Sequence, residues 1–141
     1  LLTVFGVGRV RPASGTWGSL PTVVVAALLL LLGFGPRPDG TWPTLGWLVW
    51  HVDLLLIVLV FGGACVLQGD RAEARFGADP ADVVADETAG MALPLMFLPG
   101  AALATPQLAA FTLVFAFVCF RAMDVLKPWP ADGLQRIAGG W

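Results

Sequence analysis

The sequence contains no tyrosine, one histidine, two cysteines and only 13% charged residues among its 141 positions. Each shortage excludes something. Soluble domains carry about 25% charge, so a water-facing surface of this size is hard to cover with the charges present. Disorder needs low hydrophobicity and high charge, whereas 57% of these residues are hydrophobic and the mean hydropathy is +0.81. Eight Lys+Arg against ten Asp+Glu give a net charge of -2 and no basic tract. That excludes a nucleic-acid partner, which would demand a cationic face. Cys65 and Cys119 lie inside apolar runs without metal-ligand spacing and read as small buried hydrophobes. No basic segment precedes a cleavable apolar core, so no signal peptide is read. A start at Leu1 rather than Met reads as a piece of a longer chain.

What is present is apolar sequence interrupted by a few polar clusters. Residues 12–36, 40–52, 54–69 and 88–120 hold no charge, the last run being 33 residues long. As one helix that run would extend roughly 50 Å, against a hydrocarbon core of about 30 Å. Pro94, Pro99, Gly100 and Pro106 supply breaks. The pattern predicts spans at 19–34 and 45–67, a span or half-span at 88–103, a turn at 104–107 and a span at 108–126. Residues 68–87 read as a polar loop with one amphipathic helical piece, 70–76. The expected fold is all-α: a single-domain, multihelical integral membrane protein with three to four transmembrane helices. The competing reading is a soluble four-helix domain.

With the N-terminus in the cytoplasm, Arg9, Arg11, Arg71, Arg75, Lys127 and Arg136 lie inside and only Arg37 outside, which satisfies the positive-inside rule. Trp42, Trp47 and Trp50 then mark the outer interface, and Trp17 and Trp129 the inner one. His51 falls on the outer side, which disfavours Ser-His-Asp and histidine-phosphatase chemistry.

Three polar clusters fall on the inner side. Gly6–Ser19 packs glycines, two arginines and hydroxyls just before the first span. Amides at a helix start bind anions, but the Gly-Lys-Ser/Thr ending of a Walker loop is absent. A flexible entry segment with snorkelling arginines is the plain alternative. Asp79–Met91 places Asp86 and Glu87 at a span entrance, where adjacent carboxylates are costly unless paired, hydrated or bound to a cation. Hard oxygen ligands there suit Mg²⁺; acidic residues favoured by a helix N-terminus are the alternative. In Phe120–Pro130, Arg121, Asp124 and Lys127 form a charged stripe ended by Pro128, which would otherwise read as a snorkelling ion-pair stripe. Together, a metal-holding group, cationic forks and an anion loop suit phosphoryl chemistry.

The run ending Gly15-Thr16-Trp17-Gly18-Ser19, the segment Asp79-Pro80 … Asp86-Glu87-x-x-Gly90-Met91, and Phe120-Arg121-x-x-Asp124-x-x-Lys127-Pro128-x-Pro130 resemble the phosphatidylglycerophosphatase A family, in order and approximate spacing. The resemblance runs from about residue 5 to the end. It implies a Mg²⁺-dependent lipid phosphatase of the bacterial inner membrane, hydrolysing phosphatidylglycerol phosphate with its motifs facing the cytoplasm. By this resemblance Asp79, Asp86, Glu87 and Asp124 are metal ligands. Asp86, Glu87 and Asp124 are catalytic, and Arg121, Lys127, Gly15, Thr16 and Ser19 hold the phosphate. Two departures stand out. Ser14 occupies the place where the family usually has Pro, and the chain stops at Ala138–Trp141, where the family pattern continues into a helix opening with an Asp-Asp pair. The expected partners are the phospholipid substrate and the bilayer, a homo-oligomer being left open. A small transporter or ion-pathway subunit is the alternative, suggested by Asp53, Arg121 and Asp124 near spans.

Overall fold

The computed structural model describes residues 2–10, 13–39, 44–68 and 83–126. These residues are helical and contain no strand. A 3-10 segment, Val4–Arg9, precedes α1 (Ser14–Leu31). Next come α2 (Leu45–Gln68), which widens into a π-turn at Val58–Gly62, and α3 (Ala85–Met96). A 3-10 turn, Gly100–Leu103, leads to α4 (Pro106–Leu126). The sequence explains the ends of these helices. Gly33 turns the chain out of α1 with φ +81, a conformation glycine adopts without steric cost. Thr44 caps α2 by accepting from the Trp47 amide at 3.1 Å.

The helices alternate in direction. Gly18 and Thr22 of α1 meet Thr88 of α3, and both helices run away from the same end of the molecule. Antiparallel to them, α2 brings Trp50 to Leu95 and, about three turns further on, Gly62 to Ala89. α4 brings Thr112 to Ala102 and Phe120 back to Gly90. The N-termini of α1 and α3 and the C-termini of α2 and α4 therefore collect at the end of the bundle that carries Glu87 and Arg121.

The core is Ala26, Trp50, Leu54, Met91, Ala92, Leu95 and Leu113. The short α3 lies at its centre. A second, smaller cluster of Val4, Val84 and Ala85 sits at the Glu87 end, covered by Leu2, Val7, Phe61 and Cys65. The Val84 amide donates to Leu2 O at 3.0 Å, strapping the N-terminal segment onto the start of α3. Outward, Leu28, Leu31, Leu59, Phe111, Val114, Phe115 and Val118 are exposed. Such a surface suits hydrocarbon rather than water.

α1, α2 and α4 are each long and apolar enough to cross a membrane. α3, with 12 residues, reaches only about 18 Å and is the half-span among the expected alternatives. Three expectations need correction. The glycine-rich run from Ser14 to Ser19 is not an entry loop but the first turns of α1. Trp50 is not an interfacial anchor: it is fully buried and donates Nε1–H to Leu95 O at 3.3 Å. A three-dimensional core could claim it because an indole fills a large volume and its one donor found a carbonyl. Cys119 is exposed on the outer side of α4, while Cys65 is half-buried. The amphipathic piece expected at 70–76 lies outside the described residues, as do Trp42 and Trp129.

Candidate active site

The first turn of α1 is built on a reversal. Ala13 adopts φ 65, and its carbonyl accepts from the Thr16 and Trp17 amides at 3.0 and 3.3 Å. Ser14 and Gly15 thus occupy the first amide positions of the helix, where no intrahelical acceptor exists and the dipole is positive. Gly15 is buried because two charged side chains lie on it. A Cβ there would stand 2.6 Å from Glu87 Oε1 and 2.8 and 2.9 Å from the two terminal nitrogens of Arg121. Glycine is required here for close approach, not for backbone freedom.

Arg121 reaches this point from the last turns of α4. It is ion-paired with Asp124, one turn along the same helix. Its Nε is buried without a hydrogen-bond partner, as is Glu87 Oε2. Glu87 sits in the first turn of α3 beside Asp86, which is exposed. Burial pushes the Glu87 carboxyl up to about 9, and the hydrogen bond and charge of Asp86 act in the same direction, with Asp124 adding a smaller push. Left to itself, the Asp86–Glu87 pair therefore keeps a proton at neutral pH.

The three motifs that are far apart in sequence thus meet at one place: Gly15 from the first, Glu87 with Asp86 from the second, Arg121 with Asp124 from the third. Thr16 lies in the same first turn. Ser19 does not act as expected. It is fully buried and donates its hydroxyl to Gly15 O at 2.9 Å, so its proton is already committed within α1. Asp79 and Lys127 lie outside the described residues. His51 is at the opposite end, its ring nitrogens 2.8 Å from Trp47 O and 3.1 Å from Met96 O. Asp53 is half-buried in α2, with Oδ2 unpartnered. Sequence reasoning missed Thr22, Thr88 and the packing role of Gly18, all buried between α1 and α3. A polar residue recurring on the helix face of Gly15 and Gly18 was the available signal.

Among the described residues, no three His, Cys, Asp or Glu side chains form a ready metal cage. The donor set nevertheless fits a hard divalent cation. Mg²⁺ typically takes one or two carboxylates and completes its shell with water and substrate phosphate. Here Asp86 and Glu87 are hydrogen-bonded to one another, and a carboxyl oxygen of Glu87 is buried without a partner. Asp124 already pairs with Arg121, so the crowding of Glu87 by Asp86 and Asp124 is one that a cation would relieve.

These features define a class: a helical membrane-type protein with a carboxylate–guanidinium cluster at the amide end of a helix. The comparisons name the family within it. Over residues 1–141 the chain matches phosphatidylglycerophosphatase A. It therefore belongs to that family, a family of phosphatases of phospholipid metabolism. It is 32% identical to the phosphatidylglycerophosphatase A of Haemophilus influenzae, with 89% of this chain and 64% of that protein covered. It is 29% identical to a Bacteroides thetaiotaomicron protein provisionally named a phosphatidylinositol-3-phosphatase, with 98% of this chain and 76% of that protein covered. No solved structure matches.

Proposed function

We propose that this protein is a Mg²⁺-dependent phosphatase that hydrolyses phosphatidylglycerol phosphate to phosphatidylglycerol and phosphate, working at the cytoplasmic face of a bacterial inner membrane. The observation that carries the reading is the meeting of Glu87 and Arg121 on Gly15, at the amide end of α1. A phosphate monoester needs donors for its oxygens and a group that moves a proton. The amides of Ser14 and Gly15, with Thr16, donate from α1. Arg121 offers a planar fork suited to phosphate oxygens, and Asp124 holds that fork in place. Lys127, three residues after Asp124 in the sequence, would add a second cation. Asp86 and Glu87, with Asp79 and Asp124 as further ligands, would hold Mg²⁺. When bound, the metal neutralises phosphate oxygens and the charge that builds up during transfer. With the metal bound and the shared proton displaced, Glu87 Oε2, which has no hydrogen-bond partner, would be the atom to take a proton.

The test is phosphate release by the full-length protein in detergent with Mg²⁺, on phosphatidylglycerol phosphate and on phosphatidylinositol 3-phosphate. The expected result is preference for the first lipid, and at least a hundredfold loss in Asp86→Asn and Asp124→Asn. Undiminished activity in both variants would remove the assigned metal role, and preference for the inositol lipid would overturn the substrate.

A further inference from the structure

The site depends on how far α1 has slid along α3, and most of α1 cannot set that distance. From Val23 to Leu32 the helix reads Val-Val-Val-Ala-Ala-Leu-Leu-Leu-Leu-Leu with one apolar residue much like the next. Only Leu32, its C-cap, falls outside the helix proper. A uniform apolar face packs nearly as well after a slip, and lipid offers no hydrophobic penalty for it. Yet one residue of slip is about 1.5 Å, and a misplacement of about 1 Å can cost a hundredfold in rate. Something else must fix the register.

Two buried threonines connect the helices at one point. The Thr88 hydroxyl is 2.6 Å from Gly18 O across the interface, and 3.0 Å from Val84 O in its own helix. The Thr88 carbonyl accepts from the Thr22 hydroxyl at 2.8 Å. Thr88 is thus gripped from both sides by one turn of α1, Gly18 below and Thr22 above. The grip needs Gly18: a Cβ there would stand 2.5 Å from Val84 Cβ and 3.1 Å from Val84 O. The same face of α1, one turn nearer its start, presents Gly15 to Glu87, the residue before Thr88. A hydrogen bond accepts no substitute one residue along, because the next carbonyl points about 100° around the helix. Polar groups in apolar interfaces specify register for this reason.

We propose that Thr88, with Thr22 as its counterpart, is a positioning residue for the phosphatase reaction: the double hydrogen bond to α1 sets the axial register that places the α1 amides against Glu87 and Arg121. It touches neither phosphate nor metal. This inference rests on the phosphatase reading, and its test separates the two.

The experiment compares Thr88→Val, Thr88→Ser, Thr22→Val and a control, Thr112→Val, in the full-length protein. Thr112 makes a similar hydroxyl-to-carbonyl bond, to Ala102 O at 2.9 Å, at the opposite end of the bundle. Three readouts are taken: thermal stability, kcat and KM on phosphatidylglycerol phosphate, and the affinity for inorganic phosphate. Thr88→Val and Thr22→Val are expected to lower kcat at least tenfold and to weaken phosphate binding by a similar factor. Thr88→Ser, which keeps the hydroxyl, should restore both to within threefold of the parent. Thr112→Val should lose stability alone. If folded Thr88→Val keeps the parent's kcat and phosphate affinity, or if Thr112→Val loses as much of both, the bond is merely structural and the proposal falls. A parent that binds phosphate but releases none from lipid defeats the phosphatase reading, and the positioning role then stands or falls on phosphate affinity. A parent that neither binds nor releases phosphate defeats both. Should Thr88→Val fail to fold, the Thr22→Val and Thr88→Ser pair decides by the same criteria.

Discussion

Replacing Gly15 with Ala separates stability from activity, which few substitutions do. By helix propensity alone, Gly→Ala inside a helix is worth up to about 1 kcal/mol in favour of folding. The new methyl, however, would sit 2.6 Å from Glu87 Oε1 and 2.8 to 2.9 Å from the Arg121 guanidinium. Carbon needs about 3.5 Å or more from such atoms, so both side chains must retreat by about 0.6 to 1 Å. Both are long, and their ends can move without disturbing the backbone. The cost to folding is therefore small, and the propensity gain offsets much of it. The displacement falls on the two groups proposed to face the phosphate, where about 1 Å is worth about a hundredfold. Gly15→Ala should keep its melting temperature within a few degrees and lose about a hundredfold in kcat/KM for phosphate release from phosphatidylglycerol phosphate. Gly18→Ala gives the contrast. Its methyl meets Val84 Cβ at 2.5 Å and the Val84 carbonyl at 3.1 Å, atoms that cannot swing aside, so it should destabilise by about 1–3 kcal/mol. Thermal unfolding in detergent and phosphate release on the same preparations decide the matter. A Gly15→Ala protein with activity within twofold of the parent would refute the placement of Glu87 and Arg121 over Gly15.

Two further outcomes follow from other parts of the structure. With its carboxyl pushed up to about 9, Glu87 binds a proton more tightly folded than unfolded, where about 4.3 is usual. Its contribution to stability is therefore complete below about 4.3 and is lost as pH rises toward 9. Without divalent metal, the melting temperature should fall between pH 6 and 9. The fall should flatten in Glu87→Gln and shrink with Mg²⁺ present; an unchanged slope in Glu87→Gln would contradict the assignment. At the far end, Trp50→Phe removes the donor to Leu95 O and leaves a small void, which should cost about 1–3 kcal/mol and leave kcat of the folded protein unaltered. Equal stability of variant and parent, by thermal unfolding, would show that the buried indole bond contributes nothing.

Much of this protein was legible from its charge gaps. Runs without charge located α2 and α4 to within two residues and the body of α1, whose start at Ser14 lies five residues before the expected one, because crossing or packing in an apolar medium forbids isolated charges. The same logic isolated Asp86, Glu87, Arg121 and Asp124, which are affordable in such a chain only where they meet. Local pattern could not see contacts between distant segments. It read Trp50 as an interfacial anchor because tryptophans cluster there, whereas its indole fills the core and finds Leu95 O. It read the glycines at 15 and 18 as a loop, because glycine most often signals backbone freedom. Both adopt helical backbone, and their lack of a side chain serves a neighbour 66 or more residues away.

Sequence by itself determined the class of the fold and the inventory of charged groups, since both follow from which residues tolerate an apolar surrounding. Tertiary structure decided the rest: that α1 and α3 run parallel with both N-termini at the site, that Glu87 and Arg121 close over Gly15, and that Ser19 is spent inside its own helix. It also decided that Thr22 and Thr88 pin one helix to the other. Those are matters of distance and direction between segments, and a periodic apolar sequence carries almost no information about either until a few hydrogen bonds select one register.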